Sequence, residues 1–436
     1  MKQLLIVSPH FAPVNAPDMQ RVRMALPFLD ELGWSATVLA VAPDLVEGAV
    51  IEPLLEHTYP SQTRVIRVRG ISPKVTRWLG VGNLWWRCGR ALRRAGDALL
   101  AREKFDLVFF STTQFDSFTL GPRWRRRFGV PFVLDYQDPW VNDYYRETHT
   151  RPPGGSFKFW LSQYTARRSE GAVLKSASSI VAVSAAYGPA LGRRYPWLTP
   201  HLVKTIPFGA SRTDLELARR HPPRHCLVPF GDGRIHHVYT GRCGPDMTMA
   251  LTNLFRAFAE FRQTHPTEAR AHHFHFIGTD YAPPPLGRFW ALPIAGQEGV
   301  REHVSEHCYR VPYFEALHYL TRADALIVLG SNDPTYSASK IFPNLFAGRP
   351  LLTIAHKESA MLTFARGQGH RCSYGFGADG DPPGSMAPQI RQEWFVEQGF
   401  ARLAPGAPEK LDAHTAKTMT RELTDLFDEA LTRPCN

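Results

Sequence analysis

Short runs of apolar residues alternate along the chain with longer segments in which apolar positions recur every three or four residues. The short runs are typical of buried strands and the longer segments of helices, so the alternation predicts parallel β-sheets covered by helices. In the first half the expected strands are Leu4–Val7, Ala36–Val41, Val65–Val68, Leu107–Phe110, Phe132–Leu134, Ile180–Val183 and Val203–Ile206. In the second half they are His237–Thr240, Phe274–Ile277, Tyr309–Val311, Ala325–Leu329 and Leu351–Ile354. The pattern therefore predicts an α/β protein.

A stretch rich in Pro, Gly and His, HPPRHCLVPFGDGR, interrupts this alternation near the middle of the chain. Such composition is typical of a connection, and we expect an interdomain linker over residues 215–234. A chain of 436 residues is also too long for one hydrophobic core. We therefore expect two Rossmann-like domains, 1–214 and 235–410, facing a cleft. A C-terminal helix over 411–436 is expected to pack back on the first domain.

Composition narrows the class of protein. No run of 18 or more apolar residues occurs, so no membrane-spanning helix is expected. The apolar run that opens the chain is too short for a signal peptide and fits a first strand better. The six cysteines are scattered without the spacing of a metal site, as in reduced cytosolic proteins. The expected location is cytoplasmic.

The usual cofactor and metal signatures are missing from the sequence. The turn after the first strand, SPHFAPVNAPD, contains neither the GxGxxG of dinucleotide sites nor a phosphate-binding P-loop. No G-x-S-x-G hydrolase motif is present. The histidines at 236, 237, 272, 273 and 275 have no Cys or carboxylate at ligand spacing, so we interpret them as ordinary strand or surface residues. No bound cofactor and no metal are expected.

Two loops carry residues that suit an anion. In the first domain Asn15 and Asp18 precede a helix, Asp18 is a candidate N-cap, and Arg21 adds a cation one turn in. The alternative is that Asp18 only caps the helix and Arg21 only covers apolar surface. In the second domain Gly241 lets the backbone approach a ligand, and Arg242 can clamp phosphate oxygens.

A second cation, Lys340, follows another strand of the same sheet, in the stretch SASKIFPNLFAGRP. Because the carboxyl ends of parallel strands meet at one edge of a sheet, Arg242 and Lys340 are expected to face the same ligand. Each alone is more often a surface charge, but two cations at one edge suit a diphosphate. The sequence therefore predicts a diphosphate site in the second domain.

These pieces together resemble a known family. The chain is similar over nearly its whole length to two-domain glycosyltransferases of the GT-B fold, and specifically to the retaining group called family 4. The segments that carry the resemblance are SPHFAPVNAPDMQRVRMALPFLDELGW, FVLDYQDPW, SIVAVS with KTIPFGAS, VYTGRCG and SASKIFPNLFAGRPLLTI. In such enzymes the second domain holds a nucleoside-diphosphate sugar and the first domain holds the acceptor.

The resemblance implies roles for particular residues. Arg242 and Lys340 would neutralise the departing diphosphate, and Asp138 would orient or deprotonate the acceptor hydroxyl, unless it is only a turn residue before a proline. The family's ribose-binding glutamates fall here on Pro343 and Thr335. The remaining candidates to contact the ribose are therefore Asn344, Thr335 and Ser339, and the loss of both glutamates would also fit an unusual donor or a degenerate member.

The excess positive charge lies in one segment. Residues 64–127 contain 15 Lys and Arg but only 4 Asp and Glu, and this excess equals the net charge of +11 of the whole chain. Within residues 77–94 tryptophans alternate with arginines along a predicted amphipathic helix, which suits the headgroup layer of an anionic membrane. Nucleic acid is the rival partner, but no recognition motif accompanies the charge, and a solvated face over buried tryptophans is a third interpretation. We favour peripheral attachment to the inner face of a membrane.

The sequence thus predicts a metal-independent, hexosyltransferase-type enzyme. It would move a sugar, with configuration retained, from a nucleoside-diphosphate sugar to a glycan or lipid-linked acceptor in polysaccharide biosynthesis. One alternative is a nucleotide-sugar epimerase or hydrolase on the same fold. The other is a non-catalytic scaffold or partner subunit of a glycan-assembling complex.

Overall fold

The computed structural model describes residues 1–76, 82–141, 156–282, 284–333, 341–377, 381–402 and 411–433, without the side chains of 156–159, 161 and 162. The chain divides into two compact units, one formed by Met1–Gly209 with Ala416–Asn436 and the other by Ala210–Thr415. Each unit is built on one parallel sheet covered by helices. The predicted α/β class with two Rossmann-like domains is confirmed.

The first unit contains a seven-stranded parallel sheet. Its strands are β1 (Lys2–Val7), β2 (Trp34–Val41), β3 (Arg64–Val68), β4 (Leu107–Ser111), β5 (Phe132–Tyr136), β6 (Ser179–Ala182) and β7 (Val203–Thr205). The order β3-β2-β1-β4-β5-β6-β7 reverses direction between β1 and β4. Leu4 to Val7 of β1 are all buried, because helices cover both faces of a central parallel strand.

The helices of the first unit connect these strands. They are α1 (Gln20–Leu29), α2 (Pro73–Thr76), α3 (Leu84–Arg102), α4 (Leu120–Phe128), α5 (Ser156–Leu174) and α6 (Tyr187–Arg194). Short 3-10 turns are found at Pro17–Met19, Pro43–Leu45, Pro53–Thr58, Phe115–Thr119 and Pro200–Leu202. Trp124 of α4 stacks on Phe110 of β4 with ring centroids 5.7 Å apart, inside the core that α3 and α4 cover.

The second unit contains a six-stranded parallel sheet in the order β10-β9-β8-β11-β12-β13, which reverses between β8 and β11. Its strands are β8 (Ile235–Thr240), β9 (His272–Ile277), β10 (Val304–His307), β11 (Ala325–Leu329), β12 (Leu351–His356) and β13 (Ser373–Phe376). Its helices are α7 (Arg212–Arg220), α8 (Thr248–Thr264), α9 (Pro266–Ala269), α10 (Ala291–Gln297), α11 (Tyr313–Arg322), α12 (Ile341–Phe346), α13 (Ala360–Gly367) and α14 (Ala387–Ile390), the last continuing as a π-helix over Arg391–Val396. Short 3-10 turns lie at Pro245–Met247, Arg301–His303 and Gly399–Ala401.

Three local predictions differ from the structure. The strand expected at Tyr309–Val311 is wrong, since the edge strand β10 ends at His307. Strand β13, which includes Gly375, was not among the expected strands. The segment predicted as linker begins inside α7, which packs on α11: the Tyr313 hydroxyl donates to Asp214 Oδ2 at 2.8 Å.

The C-terminal helix α15 (Ala416–Thr432) packs on the first unit, as predicted. Phe427 contacts Phe109 and Trp34, with ring centroids 5.0 and 5.5 Å apart. Asp428 accepts a hydrogen bond from the Trp34 indole at 3.1 Å and pairs with Lys2 at 2.6 Å. Among the described residues, no helix is both long and apolar enough to cross a membrane.

Candidate functional site

In the first unit, polar side chains gather beyond the carboxyl ends of β1 and β4, where the strand order reverses. Ligands of open parallel sheets bind at such points. Asp18, in the turn after β1, is 2% exposed. Its Oδ2 accepts hydrogen bonds from the Thr112 hydroxyl at 2.8 Å and the Thr113 amide at 3.0 Å. Asp18 therefore ties the loop after β1 to the loop after β4.

The same carboxylate holds a histidine. His10 Nδ1 lies 3.0 Å from both Oδ1 and Oδ2 of Asp18. Burial alone would raise the pKa of Asp18, but the hydrogen bond and charge of His10 and the hydrogen bonds from Thr113 and Thr112 outweigh it and lower the pKa. Asp18 is therefore an ionised, fully engaged carboxylate at neutral pH.

The predicted cation Arg21 is not available to a ligand. Its side chain is fully buried, and Nε donates to Asp135 Oδ2 at 2.9 Å while Nη2 donates to the Ile206 carbonyl at 2.7 Å. Asp135 Oδ2 also accepts from Ser111 at 2.8 Å and from Gln137 at 2.8 Å. Arg21 thus holds the ends of β4, β5 and β7 together below the site.

The start of α1, where the sequence predicts an anion-binding site, does not have the predicted arrangement of side chains. Asp18 does not act as an N-cap, because it lies inside the 3-10 turn Pro17–Met19 and its carboxylate points to the β4 loop. Asn15 is turned away, donating from Nδ2 to Glu52 Oε2 at 3.0 Å. Of the three predicted residues Asn15, Asp18 and Arg21, only Asp18 contacts the polar side chains in the loops after β1 and β4, His10 among them.

Asp138 lies near this cluster. Partial burial and the negative charge of Asp18 raise the pKa of Asp138. Burial, and then the charge of Asp138, raise the pKa of Tyr187 to about 12. The charge of Asp138 thus acts on Tyr187 and the charge of Asp18 acts on Asp138. The structure therefore brings the predicted acceptor-side residue Asp138 near the loops that Asp18 joins.

In the second unit the corresponding position is the loop after β8. Gly241 adopts φ +138°, a conformation that favours glycine, and its amide donates to the Ile277 carbonyl at 2.8 Å. Arg242 forms a two-point ion pair with Asp246, from Nη1 at 3.0 Å and from Nη2 at 2.6 Å. Burial alone would raise the pKa of Asp246, but the ion pair with Arg242 and a hydrogen bond from Ser331 outweigh it and lower the pKa. Since Ser331 follows β11, Asp246 joins the loops of the two strands where this order reverses.

The other predicted donor-site residues divide into two groups. Asn344 is buried at 2% exposure on α12, and Pro343 lies in the first turn of that helix, where its missing N–H costs little. Thr335, Ser339 and Lys340 lie outside the described residues. Their predicted roles therefore stay predictions.

The basic helix α3 has one exposed stripe. Trp86 is 73% exposed, and Arg90, Arg93 and Arg94 follow it on the same face and are exposed. Arg87, predicted for this face, is instead 3% exposed and donates to the Leu45 carbonyl at 2.8 Å. Trp85 packs partly against the core. Residues 77–81, with Arg77 and Trp78, lie outside the described part of the chain.

The strand histidines pair with one another. His236 Nδ1 lies 2.9 Å from His275 Nε2, and His237 Nε2 lies 2.8 Å from His272 Nδ1. No group of three or more His, Cys, Asp or Glu side chains within the described ranges is arranged to hold a metal ion. These histidines are packing residues of β8 and β9.

The sequence reasoning missed His10 and Asp246. A signal for Asp246 was present: the tripeptide Pro-Asp-Met follows the first strand of each unit, at Pro17–Met19 and at Pro245–Met247. In both places it forms a 3-10 turn with a fully buried methionine and an aspartate that reaches the loop of the next strand across the reversal. The repeat marks an equivalent position in the two units.

Comparison with known proteins agrees with this architecture. Residues 20–209 match the family model of the glycosyl transferase 4-like domain. A sucrose-phosphate synthase from Thermosynechococcus elongatus is 15% identical, with a TM-score of 0.60 and 98% of each chain covered. Anabaena HepE in complex with UDP and glucose is 14% identical, with a TM-score of 0.59, covering 98% of this chain and 100% of that one. A glycosyltransferase from Rickettsia africae is 13% identical, with a TM-score of 0.60 and 99% of each chain covered.

At these identities the solved structures show the fold alone, and no curated protein matches the sequence. Residues 20–209, within the first unit, match the model of the glycosyl transferase 4-like domain. The chain as a whole has the fold of GT-B glycosyltransferases, in agreement with the resemblance predicted from its sequence.

Proposed function

We propose that this protein transfers a hexose-type sugar from a nucleoside-diphosphate sugar to a hydroxyl of a glycan or lipid-linked acceptor, in the biosynthesis of a polysaccharide. The observation that carries the proposal is the arginine of the β8 loop, fixed at the strand-order reversal of a Rossmann-like sheet in a GT-B chain. Ligands of such sheets bind at that point. HepE, of the same fold, has been solved with UDP-glucose and with UDP.

The proposed donor site lies in the second unit. The backbone at Gly241 would approach the diphosphate, and Arg242 with Lys340 would neutralise the charge that develops as it leaves. Asn344, Ser339 and Thr335 would contact the nucleotide sugar in place of the family's glutamates. Arg242 would then be shared between Asp246 and the diphosphate.

The proposed acceptor site lies in the first unit. Asp138, with its raised pKa, would orient the acceptor hydroxyl. Asp18 would shape the loop surface, whereas Arg21 and Asn15 would act from beneath it by holding strand ends and loops in place. Retention of configuration and independence of metal are parts of the proposal that rest on the family resemblance.

We also propose that the protein works at the cytoplasmic face of a membrane. The support is the exposed stripe of Trp86, Arg90, Arg93 and Arg94 on α3. A tryptophan beside three arginines suits the interface of an anionic bilayer, where the ring lies among headgroups and the guanidinium groups meet phosphates. A lipid-linked acceptor would be reached there.

The test of transfer is donor turnover. The purified protein is incubated with UDP-, GDP-, ADP-, CDP- and dTDP-sugars, with water or a lipid-linked glycan mixture as acceptor, and the released nucleoside diphosphate is measured. We expect release from one donor class and its loss in Arg242→Ala. The matched control is Arg212→Ala, which removes an exposed arginine of the same unit paired with Asp412. No release from any donor would favour the non-catalytic scaffold.

A further inference from the structure

A cavity of about 680 Å³ lies in the second unit at the amino ends of β12 and β13. Leu351, the first residue of β12, and Ser373, the first residue of β13, belong to its wall. The carboxyl ends of these parallel strands, where the diphosphate is proposed to bind, lie at the opposite edge of the sheet. Binding sites for small molecules have volumes of about 300–1,000 Å³. The cavity is therefore large enough for a small molecule and lies apart from the proposed donor site.

The wall of the cavity contains a buried hydrogen-bond donor without an acceptor. Trp394 lines the cavity, and its side chain is fully buried. Within the described parts of the chain, no atom accepts a hydrogen bond from its indole Nε1. Buried polar groups are nearly always hydrogen-bonded in native proteins, because an unpaired one reduces stability. An acceptor atom of a bound molecule would pair with this indole.

Three arginines supply positive charge to the cavity. Arg366 is anchored, since its Nε and Nη2 donate to the Ser373 carbonyl at 3.2 and 3.0 Å. Arg371 and Arg402 are exposed, and neither forms an ion pair with a carboxylate of the described residues. Burial lowers the pKa of His370, so this histidine adds no charge at neutral pH. A phosphate monoester, with about 1.5 to 2 negative charges, matches the two unpaired guanidinium groups.

Two carboxylates of the same cavity suit hydroxyl groups. Glu393 accepts hydrogen bonds from the Tyr374 hydroxyl at 2.7 Å and from Gln389 Nε2 at 2.9 Å. Glu397 Oε1 accepts from Gln392 Nε2 at 3.1 Å. Because a carboxylate has about four acceptor positions, both groups can accept further hydrogen bonds. The cavity thus offers cations for a phosphate and acceptors for hydroxyls.

The backbone that carries the indole and both carboxylates is irregular. Arg391–Val396 is a π-helix, and the Glu397 amide donates to the carbonyl five residues earlier at 2.9 Å. Gln398 follows with φ +56°, and no other non-glycine residue of the described chain has a positive φ. Short π-helical turns inside helices are frequent at functional sites. The irregular turn therefore lies where a ligand would be held.

We propose that this cavity binds a sugar phosphate, as a site separate from the donor site and independent of the proposed transfer. The phosphate contacts Arg371 and Arg402. The sugar hydroxyls donate to Glu393 and Glu397, and a ligand oxygen accepts from the indole of Trp394. Since the cavity and the β8 loop lie at opposite edges of the sheet, the sugar phosphate does not compete with a nucleoside diphosphate.

The experiment follows the indole N–H signal of Trp394 by NMR in the full-length protein, with the signal assigned from Trp394→Phe. Glucose 1-phosphate, glucose and inorganic phosphate are the probes. We expect glucose 1-phosphate to shift the signal, with an affinity at least about 10-fold higher than that of glucose or of phosphate. Arg371→Gln/Arg402→Gln should weaken the binding at least about 10-fold. The matched control Arg219→Gln/Arg220→Gln, at two exposed arginines of the same unit, should bind like wild type.

Each alternative outcome overturns a stated part of the proposal. No shift with glucose 1-phosphate at millimolar concentration, or wild-type affinity in the Arg371→Gln/Arg402→Gln variant, would overturn the site. Equal affinity for inorganic phosphate would overturn the role of the carboxylates, and equal affinity for glucose would overturn the role of the arginines. The remaining indole signals show whether each variant is folded.

The outcome is distinguishable from that of the proposed transfer. Arg242→Ala, which changes the proposed donor site, should leave the shift of the Trp394 signal unchanged. Loss of the shift in Arg242→Ala would place glucose 1-phosphate at the donor site and overturn this inference. A protein that shows the shift but releases no nucleoside diphosphate would contradict the proposed function and support the separate site.

Discussion

The guanidinium of Arg242 and the carboxylate of Asp246, four residues further along the loop after β8, form a two-point ion pair with Nη1–Oδ1 at 3.0 Å and Nη2–Oδ2 at 2.6 Å. The pair occupies the loop where the sequence predicts a diphosphate clamp. Gly244 lies against both side chains, since an added Cβ there would be 2.6 Å from Asp246 Oδ1 and 2.7 Å from Arg242 Nη1. The arginine is thus held in position by a group whose charge repels phosphate.

Asp246→Asn should therefore change the affinity for nucleoside diphosphate. Removing the carboxylate leaves Arg242 in its loop and removes a negative charge beside the proposed diphosphate position. Because partly exposed ion pairs contribute only about 0.2–1 kcal/mol, the gain from lost repulsion should exceed the loss of the pair. We expect roughly 3- to 10-fold tighter binding by calorimetry. Asp412→Asn, which breaks the exposed pair with Arg212, is the control and should leave the affinity unchanged. Weaker binding by Asp246→Asn would mean that the aspartate helps to hold the ligand.

The exposed stripe on α3 makes a prediction about membranes. Each arginine near an anionic surface contributes about 1 kcal/mol, so Arg90→Glu/Arg93→Glu/Arg94→Glu should lower partitioning onto phosphatidylglycerol vesicles at least about 100-fold. The control variant carries the same change to glutamate at three exposed arginines of the second unit, Arg219, Arg220 and Arg224. Co-sedimentation with vesicles measures both. Equal partitioning of the two triple variants would remove the membrane proposal.

The strands that the sequence predicts well are the central ones. Runs such as Leu4–Val7 are buried on both faces, and their continuous apolar composition specifies them locally. The two strands that it misplaces or misses, β10 and β13, lie at the edges of the second sheet. Val304 is the only buried residue of β10, and β13 contains a glycine. Their composition therefore does not specify strands; pairing with the neighbouring strands β9 and β12 does.

The sequence predicts where the candidate sites lie in the fold, but not which side chains pair with one another there. The carboxyl ends of the strands indicate where Arg242 and Asp138 lie, because that edge is set by topology. The side-chain pairs of the two candidate sites, His10 with Asp18 and Arg242 with Asp246, lie in loops without a repeating pattern of apolar residues, so the sequence does not indicate them. Arg21 was expected to face a bound anion, yet it pairs with Asp135, a residue 114 positions further along the chain.

The paired histidines of β8 and β9 predict acid sensitivity of the second unit. Burial lowers the pKa of His272 to about 4 and of His275 to about 3, from an ordinary value of 6.5. Between pH 6.5 and pH 4 the unfolded chain binds protons that the folded unit does not. The free energy of unfolding is therefore highest above pH 6.5 and decreases as the pH falls toward 4. The loss should approach about 1.4 kcal/mol per pH unit for each histidine.

Urea unfolding at pH values from 7.5 to about 5 measures this dependence. In His275→Gln the slope of the unfolding free energy against pH should decrease by the equivalent of up to one bound proton. In His225→Gln, at an exposed position, the slope should be unchanged. A stability that does not change with pH over this range would show that the paired histidines titrate alike in the folded and unfolded chain.

The most direct test of the central claim, that the second unit binds a nucleoside-diphosphate sugar, is calorimetric titration of the protein with UDP, GDP, ADP, CDP and dTDP. We expect selective binding of one of them, weakened at least about 10-fold in Arg242→Ala and in Lys340→Ala because each removes a cation from the diphosphate. Unchanged affinity in both variants would contradict the placement of the site. Absence of binding to any of the five nucleotides would contradict the proposed function itself.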